Sequence, residues 1–109
     1  MTRQSPVDVC LLLDFYGQLL TERVRATLEW YFGNDLSLAE IAEQQQVSRQ
    51  AVHDRIKQGL RSLDRYEAKL GLIARFRQQK TCIEEAIRDI EAGHDEIARE
   101  KLLQLNGLL

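Results

Sequence analysis

Apolar residues recur at intervals of three and four along most of the chain, which is the period of an amphipathic α-helix. The longest run holds Val52, Ile56, Leu60, Leu63, Tyr66, Leu70 and Ile73. On a helix these residues form one stripe that faces a core or a partner. β-branched and aromatic residues never alternate over the length of a strand, and the chain has one proline, Pro6. The sequence therefore predicts an all-α fold.

Capping and turn residues divide this pattern into five predicted helices, or six if Gly71 ends the fourth. They run from Pro6 to Tyr16, from Thr21 to Phe32, from Ser37 to a turn at residues 45–47, from Ser48 towards Gly71, from Leu72 to Glu91, and onward from Asp95. Gly71 either ends the fourth helix or only weakens it. We expect residues 1–70 to form one domain, and residues 71–109 to form a helical C-terminal extension that completes the core or mediates dimerisation.

Residues 37–57 have the spacing of a helix-turn-helix. Two short helices that cross steeply need a small residue at their approach, which Ala42 supplies. They also need apolar anchors around the turn, and Val47 and Val52 fill these places. Ser48 can cap the second helix. This combination predicts a nucleic-acid-binding motif, in which the second helix enters the major groove.

The polar side of this second helix holds the candidate binding residues. They are Ser48, Arg49, Gln50, His53, Asp54, Lys57 and Arg61. Arg49 and Gln50 suit bidentate contacts to guanine and adenine. Lys57 and Arg61 lie farther along and suit phosphate contacts, and Ser48 can meet a phosphate at the helix N-terminus. The alternative is a plain helical hairpin whose polar face is only solvated.

The distribution of charge agrees with a local binding surface. The formal net charge is −2, which is unusual for a nucleic-acid-binding protein. Residues 1–46 carry three basic and seven acidic side chains, residues 47–80 carry nine and three, and residues 81–109 carry three and seven. A basic segment between acidic flanks is typical of a localised phosphate-binding surface, although a solvated helix face can show the same bias.

Several of these segments resemble known bacterial families. Leu19–Arg23, Leu28–Phe32, Leu36–Glu43 and Val47–Val52 resemble region 4 of sigma factors. With Asp14–Thr21 before them and Tyr66–Leu70 after them, they are similar to the YlxM-type helix-turn-helix proteins, over residues 7–72. The genes of that family neighbour those of the signal recognition particle's protein and receptor. The resemblance therefore implies a sigma region 4-like bundle and a regulatory protein of that pathway.

The turn departs from the usual helix-turn-helix pattern at two positions. Gln46 lies where glycine or asparagine commonly adopts a positive φ, and a left-handed glutamine costs on the order of 1 kcal/mol. Gln45 lies where an apolar residue usually precedes the turn. We expect the missing apolar contact at Gln45 to loosen the hairpin.

The sequence does not suggest an enzyme. It contains no glycine-rich phosphate loop, metal-spaced cluster or nucleophile motif, so we expect neither catalysis nor a cofactor. Cys10 and Cys82 lie in apolar helical patterns and are expected to be reduced, mostly buried thiols. The chain shows neither a signal peptide nor a membrane-length apolar run, which indicates a cytoplasmic protein without membrane insertion.

The expected partner is double-stranded DNA, bound by a homodimer that forms through residues beyond Leu60, because DNA-binding helix-turn-helix units usually act as twofold dimers. One alternative is a non-catalytic adaptor that binds proteins of the signal recognition particle pathway. The other is an accessory protein that binds the particle's RNA. The basic segment would serve that role, yet it lacks the interleaved aromatic residues that stack on single-stranded bases.

Overall fold

The computed structural model describes residues 6–108, with side chains from Val9 to Gly107. In these residues there are six α-helices and no strand, so the prediction of an all-α fold is confirmed. The helices are α1 (Pro6–Tyr16), α2 (Glu22–Leu28), α3 (Leu38–Gln45), α4 (Arg49–Leu70), α5 (Leu72–Glu91) and α6 (Asp95–Leu108). A 3-10 turn (Gly17–Leu19) precedes α2, and a π-helical turn (Glu29–Gly33) follows it. No helix in the described part of the chain is long and apolar enough to span a membrane.

Local side chains fix the ends of the two helices of the motif. Ser37 Oγ accepts a hydrogen bond from Glu40 N at 3.1 Å, and Glu40 Oε1 accepts one from Ser37 N at 2.9 Å. This reciprocal pair is a capping box at the start of α3. Ser48 Oγ accepts from Ala51 N at 3.0 Å and caps α4 in the same manner. At the other end of α4, Gly71 adopts a left-handed conformation with φ 63° and ends the helix.

One compact unit ends at Gly71 and contains α1 to α4. Its core consists of Val9, Leu12, Tyr16, Val24, Leu28, Ile41, Ala42, Val52, Ile56, Leu60 and Leu63. Helices α1, α2 and α3 each contact α4, which makes α4 the central element of the unit. Gly59 lets α2 approach α4 closely, because a Cβ atom at this position would lie 2.6 Å from Leu28 Cδ1 and 2.9 Å from Val24 Cγ1.

A hydrogen bond also joins α1 to the distal half of α4. Tyr16 is 1% exposed, and its hydroxyl donates to Glu67 Oε1 at 2.6 Å. The ring of Tyr16 also packs against Tyr66 with centroids 6.1 Å apart. Because a buried phenol needs a partner for its hydroxyl, this bond sets the position of α1 along α4.

The second compact unit begins at Leu72 and is a hairpin of α5 and α6. The turn between these helices contains Gly93, whose φ of 83° favours glycine. Ala86 and Ala98 are each 1% exposed, and such small side chains let two helices approach closely. Lys101 Nζ lies 2.6 Å from Asp89 Oδ2 and 3.7 Å from Glu85 Oε1.

Lys101 and Cys82 tie the two helices of this hairpin together. The hydrogen bond from Lys101 to Asp89 raises the pKa of the Lys101 ammonium group above its usual 10.5, with Glu85 adding to the effect. Cys82 is a half-buried thiol that donates to the carbonyl oxygen of Lys101 at 3.3 Å. Neither Cys82 nor Cys10 forms a disulfide. The hairpin is therefore held by small and polar contacts to a large extent.

Candidate nucleic-acid interface

All seven predicted site residues lie at the exposed start and along the exposed face of α4. Gln50, Asp54, Lys57 and Arg61 follow one another at helical spacing on the side opposite the buried Val52 and Ile56. His53 lies at one edge of this face, Arg49 is the first residue of the helix, and Ser48 is its N-cap. The helical period brings these residues together because the buried stripe fixes the rotation of α4.

Three of these side chains interact with one another. Gln50 Nε2 donates to Asp54 Oδ1 at 3.0 Å, and His53 Nδ1 lies 3.7 Å from the same oxygen. The side chains of His53 and Asp54 are 49% and 66% exposed, so all of this chemistry is open to a ligand. The Asp54 carboxylate repels phosphate but can accept a hydrogen bond from a cytosine amino group. The face thus has a polar, mixed-charge start and a basic continuation.

The exposed face extends beyond the predicted residues. Gln58 and Arg65 are also exposed and continue the spacing of Asp54 and Arg61. The guanidinium of Arg65 lies 3.4 Å from Ser62 Oγ. The three/four period that identified the other residues was sufficient to find these two. Within the described side chains, no group of three or more His, Cys, Asp or Glu residues is arranged to hold a metal ion.

The turn between α3 and α4 has the geometry that the motif requires. Gln46 ends α3 in the left-handed conformation with φ 57° and ψ 46°, as predicted for a position that usually holds glycine or asparagine. Val47 N donates to the carbonyl oxygen of Ala42 at 3.0 Å and closes the end of α3. The strain at Gln46 is local, and the hydrogen bonds of the turn are made despite it.

Gln45 does not loosen the hairpin, and that expectation is wrong. Its Nε2 donates to Thr27 Oγ1 at 2.6 Å, and its Oε1 accepts from the Arg55 guanidinium at 2.6 Å. Thr27 is fully buried, and its hydroxyl donates to the Arg23 carbonyl oxygen at 2.8 Å. A polar network therefore replaces the usual apolar contact and links α2, α3 and α4. The residues of this network are far apart in sequence, so no local sequence pattern predicts the network.

Comparison with known proteins agrees with this geometry. Residues 4–104 match the model of the family described as "Putative helix-turn-helix protein, YlxM / p13 like". A UPF0122 protein of Acetivibrio thermocellus is 53% identical over 85 residues, which are 78% of this chain and 73% of the relative. One from Desulforamulus reducens is 46% identical over 99 residues, 91% of this chain and 85% of the relative. One from Listeria welshimeri is 39% identical over 100 residues, 90% and 91% of the two chains. The chain therefore belongs to the UPF0122 family of YlxM/p13-like helix-turn-helix proteins.

Proposed function

We propose that this chain is a non-catalytic, regulatory protein that binds duplex DNA through the exposed face of α4. The observation that carries the proposal is the position of Arg49, Lys57, Arg61 and Arg65, all exposed on the second helix of the motif. In a helix-turn-helix this helix lies in the major groove, and its N-terminal residues contact base edges. The proposed DNA-binding domain is residues 1–70.

The roles of the side chains follow from their positions along α4. Arg49 and Gln50 lie in the first turn, where a bidentate contact to guanine or adenine is possible. Gln50 must exchange its hydrogen bond with Asp54 for one with a base. Lys57 lies about two turns and Arg61 about three turns farther along, and both neutralise phosphates. Ser48, at the N-terminus of α4, is placed for a phosphate, and His53 and Asp54 border the bases.

The proposal includes a homodimer and a cytoplasmic site of action. Helix-turn-helix proteins usually bind two half-sites one helical turn apart as twofold dimers, so two recognition helices are needed. A role in the signal recognition particle pathway is supported by the resemblance to the YlxM-type family. The RNA of that particle is therefore the second ligand of the binding experiment.

The test is a measurement of binding against salt concentration. Duplex DNA selected by the protein from a random pool is compared with a scrambled duplex and with the signal recognition particle RNA. We expect Arg49→Ala and Gln50→Ala to reduce the preference for the selected duplex over the scrambled one. We expect Lys57→Ala to weaken binding to both and to lower the slope of log K against log salt by about 1.

A matched control removes a basic side chain outside the face. Arg88→Ala, on α5, leaves affinity and salt slope unchanged if α4 binds the DNA. If Arg49→Ala, Gln50→Ala and Lys57→Ala change binding to no nucleic acid, the motif is a protein-docking surface and the proposal fails. If the same variants weaken only the RNA complex, the ligand is RNA and not DNA.

A further inference from the structure

The α5–α6 hairpin exposes an apolar face that runs along its length. On α5, Ile83, Ile87 and Ile90 follow one another at helical spacing and are 43%, 51% and 52% exposed. The term α5–α6 apolar face is used below for six exposed side chains: Phe76, Ile83, Ile87, Ile90, Leu102 and Leu103. Burying one stripe against another layer is how amphipathic helices are stabilised. This face presents such a stripe on its outer side.

Two shallow grooves lie along this face. One, of about 440 Å³, is lined by Ile90, Leu102 and Leu103 with Asp95, Arg99 and Asn106 around them. The other, of about 420 Å³, is lined by Phe76 and Ile83, with Gln79, Lys80 and Glu84 also at its wall. An apolar floor with a charged border is the usual anatomy of a protein–protein interface.

The exposed apolar area of this face is comparable to the apolar area that each partner buries in a specific dimer. The six side chains are 40–53% exposed, which leaves roughly 500 Å² of apolar surface along the face, the size of the largest apolar patch on a typical monomer, which is often functional. If about 60% of an interface is apolar, a patch of this size corresponds to about 800 Å² per partner, the standard value for a specific complex.

The distribution of charge along α5 favours a second copy of this chain as the partner, with the two α5 helices antiparallel. Residues 72–80 carry three basic and no acidic side chains, whereas residues 83–91 carry four acidic and one basic side chain. Glu85 and Asp89 already face Lys101 within the hairpin, which leaves Glu84 and Glu91 beside the apolar stripe. An antiparallel second copy sets the basic half of each α5 against the acidic half of the other. A parallel copy sets like charges together.

We infer that two copies of this chain pair through the α5–α6 apolar face, antiparallel and with the twofold axis near Ile83. In this register Phe76 of one copy lies opposite Ile90 of the other, and Lys80 lies beside Glu84 of the second copy. The pairing deepens the proposed function, which needs two recognition helices, and it is measured without DNA so that the two can fail separately. A twofold interface uses the same surface on both subunits, so each substitution acts twice.

The first test is sedimentation of the full chain over a range of concentrations. We expect a monomer–dimer equilibrium, and we expect Ile87→Lys to raise the dimer Kd at least about tenfold by placing two charges in the apolar face. Ile97→Lys is the matched control, since Ile97 is 48% exposed but the helical period places it on the other side of α6 from Leu102 and Leu103, outside the α5–α6 apolar face. Circular dichroism of each variant confirms that the helices remain folded.

The second test uses charge exchange to examine the antiparallel register. Lys80→Glu places acidic residues together at the interface and weakens the dimer, and the added Glu84→Lys restores it, because the pair is then reversed on both copies. The inference is overturned if the wild-type chain stays monomeric at about 100 µM, a concentration at which even weak specific dimers form. It is also overturned if Ile97→Lys disrupts the dimer and Ile87→Lys does not, or if the double variant dissociates more than Lys80→Glu alone.

Discussion

The two compact units of this protein use the same kind of sequence pattern with opposite results. In the unit that ends at Gly71, eleven of the described apolar residues are buried, and three large ones, Leu19, Tyr31 and Leu70, are exposed. In the unit that begins at Leu72, four are buried and eight large ones are exposed. Most of the apolar stripes of the first unit are buried, whereas most of the apolar stripe of the second unit is exposed to solvent.

This contrast teaches that amphipathic periodicity specifies a face but not what covers it. In the first unit, α1, α2 and α3 contact the central α4 and bury most of the apolar side chains of the unit. A two-helix hairpin has one inner seam, and here much of that seam consists of alanines and the Lys101 ion pairs. The second unit therefore leaves an apolar stripe that a partner could cover, whereas the first unit covers its own stripes.

The largest expected difference between the units is the response to truncation of an apolar side chain. Leu28 is fully buried in the first unit, and we expect Leu28→Ala to lower the free energy of unfolding by about 3–4 kcal/mol through lost burial and the remaining cavity. Ile97→Ala in the second unit should cost less than about 1 kcal/mol. Urea denaturation measures both values. Equal losses would remove the contrast on which the comparison rests.

The second prediction concerns glycines that lie inside helices of the two units. Gly59→Val places a branched side chain against Leu28 and Val24 and should destabilise the protein by about 2–3 kcal/mol. Gly107 is its counterpart in α6, where an added Cβ meets nothing within 4 Å. Gly107→Val should therefore change stability by less than about 0.5 kcal/mol in the same denaturation experiment. A tolerated Gly59→Val would show that α2 can move away from α4.

The third prediction concerns the polar network of the first unit. Gln45→Leu removes the donor to the buried Thr27 hydroxyl and the acceptor of the Arg55 guanidinium, and should cost about 1–2 kcal/mol. Replacing the exposed neighbour, Gln44→Leu, is the control and should be nearly neutral. A double-mutant cycle with Thr27→Val measures the coupling between the two side chains. Zero coupling would mean that the network only fills space.

The smallest expected effect is at Lys101 in the second unit. Its hydrogen bond to Asp89 raises the pKa of the ammonium group, so its contribution to stability is fully present below pH 10.5 and is lost as the pH rises through the raised value. The melting temperature of the wild type minus that of Lys101→Met should therefore be constant from neutral pH to about pH 10 and should shrink above it. Because both proteins contain the same tyrosines, the effect of tyrosine titration on the melting temperature cancels in this difference. A difference that persists at higher pH would contradict the ion pair.

Local features of the fold could be predicted from the sequence, and long-range ones could not. Ser37 with Glu40, and Ser48 alone, act within four residues, so capping rules locate the starts of α3 and α4. The hydrogen bonds from Gln45 to Thr27 and Arg55 join residues 18 and 10 positions apart, and no periodicity encodes them. The fit of Val24 and Leu28 of α2 against Gly59 of α4 joins residues even farther apart in sequence, so periodicity does not predict it either.

The candidate site divides in the same way. The exposed face of α4 follows from the helical period, which also points to Gln58 and Arg65 beyond the predicted residues. The hydrogen bond between Gln50 and Asp54 spans four residues and is a local feature. The ligand is not encoded in spacing, because one face of basic and amide side chains suits several kinds of nucleic acid.

The anchoring of α4 has a consequence for the thermodynamics of the proposed DNA binding. This helix is about 33 Å long. Helices α3 and α2 contact it near Arg55 and Gly59, and the hydrogen bond from Tyr16 to Glu67 joins its C-terminal part to α1. A recognition helix that is already ordered loses little conformational entropy when it binds. Calorimetry of DNA association should therefore give a small negative heat-capacity change, set by the surface that becomes dry, without the larger change that accompanies folding upon binding.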